Sequence, residues 1–568
     1  MTALLTDNLP LLAGAPNGIK KLRELILELA VRGKLVPQDL NDEPASELLK
    51  RIAKEKARLV AEGKIRKQKP LAKIADQEKP FVIPTDWEWV RLDSLLKKIG
   101  AGSTPLGGKQ AYVAKGVKFL RSQNVWNEGL RLNDVAFIPE ETHQKMSGTH
   151  VEAGDLLFNI TGASIGRCAA VPSNFDTGNV SQHVTIIRPV SSETQPFLHV
   201  VLVSQLVQQT VMDVQVGVSR EGLSIGKLSQ FLIPFPPEAE QHRIIAKVDE
   251  LMSLCDRLEA QQADAESAHA QLVQALLGSL TQAVDAEDFA TSWQRLAGHF
   301  HTLFTNESSI DALKQTLLQL AVMGKLVPQD PSDEPASELL KRITEEKAQL
   351  VAEGKLKKQK SLAEISDEEK PFSLPAKWCW ARAEHVSLSI VDCPHSTPKF
   401  VATGKLCLDT NSFKQGRLVE HRFRYVDSST FDERNSRLQP KSGDIVFARE
   451  GSVGESIVIP VGMECCLGQR VMLFRPHQTN SDYFRLAISE PSALSRILAL
   501  HKGIGAKHVN VADMRAALLP LPPLAEQHRI VAKVDQLMAL CDQLKTRLTQ
   551  ARQLNEQLAS TLVEQAVA

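Results

Sequence analysis

Side chains able to do chemistry are plentiful in this chain, yet none stands in a pattern that makes or breaks a covalent bond. The run Gly102-Ser103-Thr104-Pro105-Leu106-Gly107-Gly108-Lys109-Gln110 has the look of a phosphate loop. Such a loop, G-x-x-x-x-G-K-[ST], needs a glycine where Ser103 stands and a hydroxyl where Gln110 stands, so it fails on both counts. There is no Asn/Asp-Pro-Pro-aromatic tetrad to hold a flipped adenine, no G-x-S-x-G elbow and no H-E-x-x-H pair. Eight cysteines, at 168, 255, 379, 393, 407, 465, 466 and 541, form no C-x-x-C and no zinc spacing, which argues against a metal site or a disulfide framework and for a reducing cytosol. What remains are side chains that read rather than react. Arginine pairs with guanine, glutamine or asparagine with adenine, and glutamate with cytosine across the major groove.

Those side chains lie at the ends of apolar runs in two segments that share a skeleton. Both segments open on Ser-Thr-Pro, after Gly102 in one and His395 in the other. A Gly-Asp turn, an apolar strand and a glycine loop follow, GDLLFNITGASIG from Gly154 and GDIVFAREGSVG from Gly443. Next comes a strand ending in Arg-Pro, SQHVTIIRP from Ser181 and GQRVMLFRP from Gly468. Polar glycine loops, VGVSREGLSIGKLSQ and KGIGAKHVNVADMR, lead to a closing strand with Pro-Pro. The skeleton holds while the loop contents change: Arg449 and Glu450 replace Ile160 and Thr161, and Arg470 replaces His183. That change of chemistry argues against a shared catalytic role at those positions and for a scaffold with interchangeable specificity. The candidate DNA-reading residues are Lys109, Arg121, Gln123, Asn124, Asn159, Thr161, Gln182 and His183 in the first segment. In the second they are His395, Lys399, Asn411, Lys414, Arg449, Glu450, Gln469 and Arg470.

The elements that must position these loops are also duplicated. EQHRIIAKVDELMSLCDRL, from Glu240, returns as EQHRIVAKVDQLMALCDQL, from Glu526. Ile530, Val534, Leu537, Cys541, Leu544, Leu548 and Ala551 alternate by four and three, a heptad seam that calls for a partner helix. The first copy carries the seam through Ile244, Val248, Leu251, Cys255 and Leu258 and weakens at Gln262. These runs predict helices over about 237–280 and 523–563, each roughly 60 Å long at 1.5 Å per residue. Upstream, GKLVPQDLNDEPASELLKRI from Gly33 matches GKLVPQDPSDEPASELLKRI from Gly324 at eighteen of twenty positions. Each block reads as helix, loop and helix, with Gly33 and Pro37 stopping the first helix and Gly63 the second. The phrases EKPFVIPTDWEWVRL and EKPFSLPAKWCWARA, with their prolines and paired tryptophans, mark the opening of a new domain. Residues before 19 read as a tail, and the run Lys64, Arg66, Lys67, Lys69 as a solvated basic face.

Length and composition fit this division. The 568 residues exceed what one core can organise and suggest three or four domains. An apolar content of 43% and a charged content of 24% belong to a soluble globular protein. With no run of eighteen apolar residues and no basic, apolar leader, neither a membrane span nor a secretion signal is expected. Lys+Arg and Asp+Glu both number 67, so any nucleic-acid contact must come from a local gathering of cations rather than from overall charge.

Taken together, the paired EQHRI…KVD…LM…CD helices, the GKLVPQ…DEPASELLKRI blocks and the two divergent Gly-Asp domains resemble the specificity subunit of type I restriction–modification enzymes, in particular the type IB branch. The resemblance covers roughly residue 19 to the end. It implies an α+β fold: two mixed α/β target-recognition domains separated by long antiparallel coiled-coil helices in a pseudo-two-fold internal duplication. The implied boundaries are a helical region 1–83, recognition domains 84–237 and 375–523, a central region 238–374 and a terminal helix 524–568. It further implies a non-catalytic, cytoplasmic chain that reads a split, asymmetric target on double-stranded DNA. Such a chain docks two methyltransferase and two restriction subunits, which carry the S-adenosylmethionine, ATP and magnesium, and itself holds no cofactor or metal. Arg243, Lys247, Arg529 and Lys533 are the expected partner contacts. A coiled-coil scaffold with two divergent ligand-binding domains is the alternative left open by the residues alone.

Overall fold

The computed structural model describes residues 12–66, 71–216, 222–357, 361–499 and 508–567. Most of the N-terminal tail, Lys67 and Lys69 of the basic run, and part of each polar glycine loop lie outside these residues. The chain forms two compact units rather than three or four: one holds everything up to Asp264 plus the stretch from Ala551 onward, the other Ala265–Gln550. The helical blocks account for the smaller number, because they share a core with the sheets instead of standing apart. Leu22, Leu25, Leu29 and Ile52 join Phe158, Ile187 and Phe197 in one cluster. Leu313, Leu317, Leu339 and Ile343 join Phe447, Phe474 and Phe484 in the other.

The helix Gly18–Val31 presents Leu22, Leu25, Ile26 and Leu29 to the core of its unit, as the 3.6-residue period dictates. It ends just before Gly33, whose φ of +67° and missing side chain are both required, since a Cβ there would stand 2.5 Å from Pro84 Cγ. Gly324, at φ +72°, meets Pro375 at 2.6 Å in the same way. The chain thus doubles back, and the tryptophans pin it in place. Trp87 Nε1 donates to buried Glu240 Oε2 (2.9 Å), and Gln38 Nε2 donates to its Oε1 (2.6 Å). Trp378 and Gln329 make the same two bonds to Glu526, at 3.0 and 2.7 Å. Each glutamate of the EQHR motif therefore ties three segments at one point.

The helices Glu238–Thr281 and Leu524–Val567 are each 44 residues, about 66 Å. Their heptad seams find partners in the helical blocks. Ile244, Val248 and Cys255 are buried with Leu22, Leu25 and Leu29, while Ile530, Val534, Leu537 and Cys541 are buried with Leu313, Leu317 and Leu320. The far end of each helix enters the other unit's core, Ala559 and Ala566 in one and Val273, Leu277 and Leu280 in the other. Between these ends the side chains at 259–268 of the first helix and 549–555 of the second are exposed, Ala551 among them. The seam is consequently used at the two ends of each helix and interrupted in the middle. No helix among the described residues is long and apolar enough to cross a membrane.

Each unit carries a mixed, mainly antiparallel pair of sheets. In the first unit Leu96–Ala101, Val184–Pro189, Leu156–Asn159 and Cys168–Ala170 lie side by side in that order. A second sheet runs Ala136–Ile138, Val117–Leu120, Gly178–Val180, His150–Val151, with one parallel pair, 117–120 with 178–180. In the second unit the first sheet recurs as Ser387–Asp392, Val471–Pro476, Ile445–Ala448 and Ser456–Val458. Its companion holds Lys405–Leu408 parallel to Cys465–Leu467. A two-stranded pairing of Glu88–Arg91 with Leu232–Phe235, or of Cys379–Arg382 with Leu518–Leu521, closes each domain. The recurring Gly-Asp and Arg-Pro phrases turn out to be two halves of one contact. Arg188 donates to both oxygens of fully buried Asp155 (2.6 and 2.8 Å), and Arg475 does the same to Asp444 (2.9 and 2.6 Å). These bidentate pairs pin the start of one strand to the end of its neighbour and fix the register of the loops beyond.

Candidate nucleic-acid interface

Four loops converge at one end of each domain's first sheet, held by the same backbone hydrogen bonds in both copies. Gly102 N donates to Val184 O (2.9 Å), Ile160 N to His183 O (3.0 Å) and Leu223 N to Ile160 O (2.8 Å). In the second domain Cys393 N donates to Val471 O (3.2 Å), Arg449 N to Arg470 O (2.9 Å) and Val509 N to Arg449 O (2.8 Å). Backbone bonds carry no side-chain identity, so the frame is kept while its contents vary.

In the first domain Thr161 Oγ1 and His183 Nδ1 are 2.6 Å apart, and Gln182, also exposed, lies beside them. Arg121 donates to Asp134 O (2.8 Å), and Gln123 donates to the Asp134 carboxylate. Asn124 and Asn159 are fully buried and stand as corrections to the reading set. Asn124 Nδ2 donates to Arg131 O (2.9 Å), and Asn159 Nδ2 donates to Ser122 O (2.8 Å) and Ser164 Oγ (3.1 Å). Their amides shape the loops and face no solvent. Lys109 occupies the turn Gly108–Ala111, and its side chain lies outside the described residues.

In the second domain Arg449 Nη1 donates to Asp392 Oδ2 (2.6 Å), an oxygen that also lies 3.6 Å from His395 Nε2. Gln469 Nε2 donates to His395 O (3.0 Å), and Arg470 Nε stands 4.0 Å from Glu450. Arg470 is exposed and held at φ +64°, a left-handed backbone that a non-glycine residue adopts at some cost and that clusters at functional sites. Lys399, Asn411 and Lys414 are exposed, Lys414 on the hairpin that joins Phe413–Lys414 to Arg417–Leu418. By strand register Asp392 is the counterpart of Ala101, just as Arg449 is of Ile160. An ion pair in one domain thus replaces an apolar pair in the other, a swap that reading of single loops missed because its members are 57 residues apart. Trp126, with Arg131 and Arg167 stacked on its ring at 3.5 and 3.7 Å, is a further cationic feature absent from the sequence-derived set.

The expected partner contacts are engaged within the chain. Arg243 donates to both oxygens of Asp42 (3.1 and 2.6 Å) and Arg529 to both of Asp333 (3.3 and 2.5 Å), binding each long helix to its helical block. Lys247 pairs with Glu250 at 2.9 Å, and Lys533 reaches Gln536 at 3.5 Å. Among the described residues no group of three or more His, Cys, Asp or Glu is placed to hold a metal ion.

Comparison with known proteins agrees with this arrangement. A family model, the type I restriction modification DNA specificity domain, matches residues 84–266 and 416–552. The chain is 39% identical over 587 residues to the type I restriction enzyme EcoAI specificity subunit of Escherichia coli, covering 97% of this chain and 94% of that one. It is 38% identical over 580 residues to the EcoEI specificity subunit of Escherichia coli, with the same coverage. A solved chain from work on complex assembly and conformational transition of the type I R-M system shares the fold at a TM-score of 0.50 and 19% identity, covering 86% of this chain and 99% of that one. With near-complete coverage at this identity, the chain belongs to the specificity subunits of type I restriction enzymes.

Proposed function

We propose that this chain is the non-catalytic, sequence-specific DNA-binding subunit of a type I restriction–modification complex in the cytoplasm, each domain reading one half of a bipartite, asymmetric target. The observation that carries this reading is the twin frame: identical backbone bonds present Thr161, Gln182 and His183 in one domain and Glu450, Gln469 and Arg470 in the other. Two half-sites read by different side chains on one scaffold give an asymmetric sequence. The long helices, each starting in one unit's core and ending in the other's, act as an antiparallel spacer. The near-identical helical blocks, whose helices Ala45–Ala61 and Ala336–Ala352 bury only three residues each, offer two equal surfaces for two methyltransferase subunits, with two restriction subunits joining the complex. S-adenosylmethionine, ATP and magnesium would then reside in those partners. Phosphate contacts shared with them reconcile DNA binding with a net charge of zero.

The test is methylome sequencing of cells expressing the chain with its methyltransferase, which should return a motif of two unrelated halves around a fixed gap. Arg449→Ala is expected to relax or abolish one half only, costing about 1–3 kcal/mol of discrimination if the guanidinium reaches a base. An unchanged motif methylated at an unchanged rate would remove Arg449 from the reading set.

A further inference from the structure

Arg434 sits on the short helix Ser428–Asn435, 4% exposed, and all of its guanidinium bonds go to backbone carbonyls. Nε donates to Leu467 O, Nη1 to Ser396 O (3.1 Å), and Nη2 to Pro394 O (3.2 Å) and Gly468 O (3.0 Å). Two of these carbonyls flank His395, and the other two immediately precede Gln469 and Arg470. One buried fork therefore staples together two of the loops that carry reading side chains, and the bond from Gln469 Nε2 to His395 O closes the same gap from above. Burying a guanidinium is costly unless its donors are satisfied, so a fold that needed only an apolar plug would not place one here.

The first domain shows that the scaffold does not require it. By register the equivalent residue is Met146, whose carbonyl accepts from Asn179 Nδ2 at 3.1 Å. There the matching helix is tied down by a strand side chain, and among the described residues no side chain of it bonds to the reading loops. Among the described residues only the second domain runs the tie from helix to loops, and it does so where Arg470 is held in a left-handed backbone.

We propose that Arg434 is a specificity-positioning residue of the second domain: it sets where His395, Gln469 and Arg470 stand without touching DNA. This rests on the half-site reading proposed above. Since every acceptor is a neutral carbonyl spread across a planar fork, geometry rather than charge is what the site uses. Lysine, which keeps the charge and loses the fork, should not substitute.

The full chain is expressed with its methyltransferase, and methylated motifs are compared for wild type, Arg434→Lys and Arg434→Met, with thermal unfolding of each purified chain alongside. Both variants are expected to accept additional bases in one half of the motif and to methylate the wild-type site at least tenfold more slowly. The other half should stay as it was. A folded Arg434→Lys chain that methylates the wild-type motif with both halves unchanged overturns the proposal, and so does relaxation of both halves together, the mark of a general loss of stability. If Arg434→Met does not accumulate, Arg434→Lys decides alone. A wild-type chain that yields no two-part motif overturns the half-site reading itself, a result distinct from either of these.

Discussion

Inserting four residues into each long helix, after Gln262 in the first and after Gln550 in the second, is expected to lengthen the unspecified gap of the DNA target by one to two base pairs and to leave both half-sites unchanged. Four residues add about 6 Å of helix and just over one turn. At 3.4 Å per base-pair step that displacement spans about two steps. The insertion points fall where the side chains of both helices are exposed, between Leu258 and Val273 in one and between Leu548 and Ala559 in the other, so neither core is interrupted. Matched insertions are needed because both helices run from one unit's core to the other's. Four residues in the first helix alone leave it longer than its companion, and the strain should appear as a lower unfolding temperature instead of a new gap. A folded double-insertion chain that still methylates the original spacing, and no longer one, would end the spacer reading.

The second large effect concerns stability. Glu526→Ala strips the buried Trp378 indole and Gln329 amide of their acceptor, and Glu240→Ala does the same to Trp87 and Gln38. The indole nitrogen is the buried donor at each site, while Gln38 and Gln329 are exposed and keep a backbone acceptor, so either substitution should cost about 1–3 kcal/mol, read as a loss of unfolding temperature. The glutamine variants separate hydrogen bonding from charge. Burial holds both carboxyls above the ordinary carboxylate range, against the lowering effects of the tryptophan and glutamine bonds and the neighbouring arginine. A folded-state pKa above the unfolded value of 4.5 means that this contribution is complete below about 4.5 and fades as pH rises through the folded value. Wild-type stability should therefore lose a component on going from acid to neutral pH. The Glu240→Gln, Glu526→Gln chain should not lose it, and should gain on wild type as pH rises. Parallel stability–pH curves for the two chains would show that the carboxylates do not carry this linkage.

Much of the architecture was legible because it is written locally or twice. The helix stops at Gly33 and Gly324 follow from a backbone conformation and a close approach that only glycine permits. The long helices end within a few residues of the places their apolar period marks. The contacts that hold the reading loops were not legible, because they join residues far apart in the chain. Asp155 meets Arg188 across 33 residues, and Trp87 meets Glu240 across 153. Recurrence of Gly-Asp, Arg-Pro and EQHR gave notice of something shared, but not of a contact. Direction was the other missing quantity. Asn124, in a turn, and Asn159, at a strand end, are polar like the exposed Gln182, and nothing in residue type says that their amides turn inward to hold carbonyls. The seam at Ile530–Ala551 shows the same limit, since periodicity demands a partner helix without saying which. The helix Glu307–Val322 supplies it for Ile530 to Cys541, Leu544 and Leu548 pack at the edge of the same core, and Ala551 faces solvent.

That the last turns of the second long helix complete the first unit bears on how the protein is made. Domains emerging from the ribosome ordinarily fold in order from the N-terminus. Here Ala559, Leu562, Val563 and Ala566 belong to the core that also holds Leu22 and Ile244. The first unit therefore stays short of part of its core until the stretch 551–566 has been made, whereas every residue of the second, Ala265–Gln550, is available earlier. Completion of the first unit's core therefore waits until all of the second unit has been made, and a chain released before Ala559 lacks that part of it.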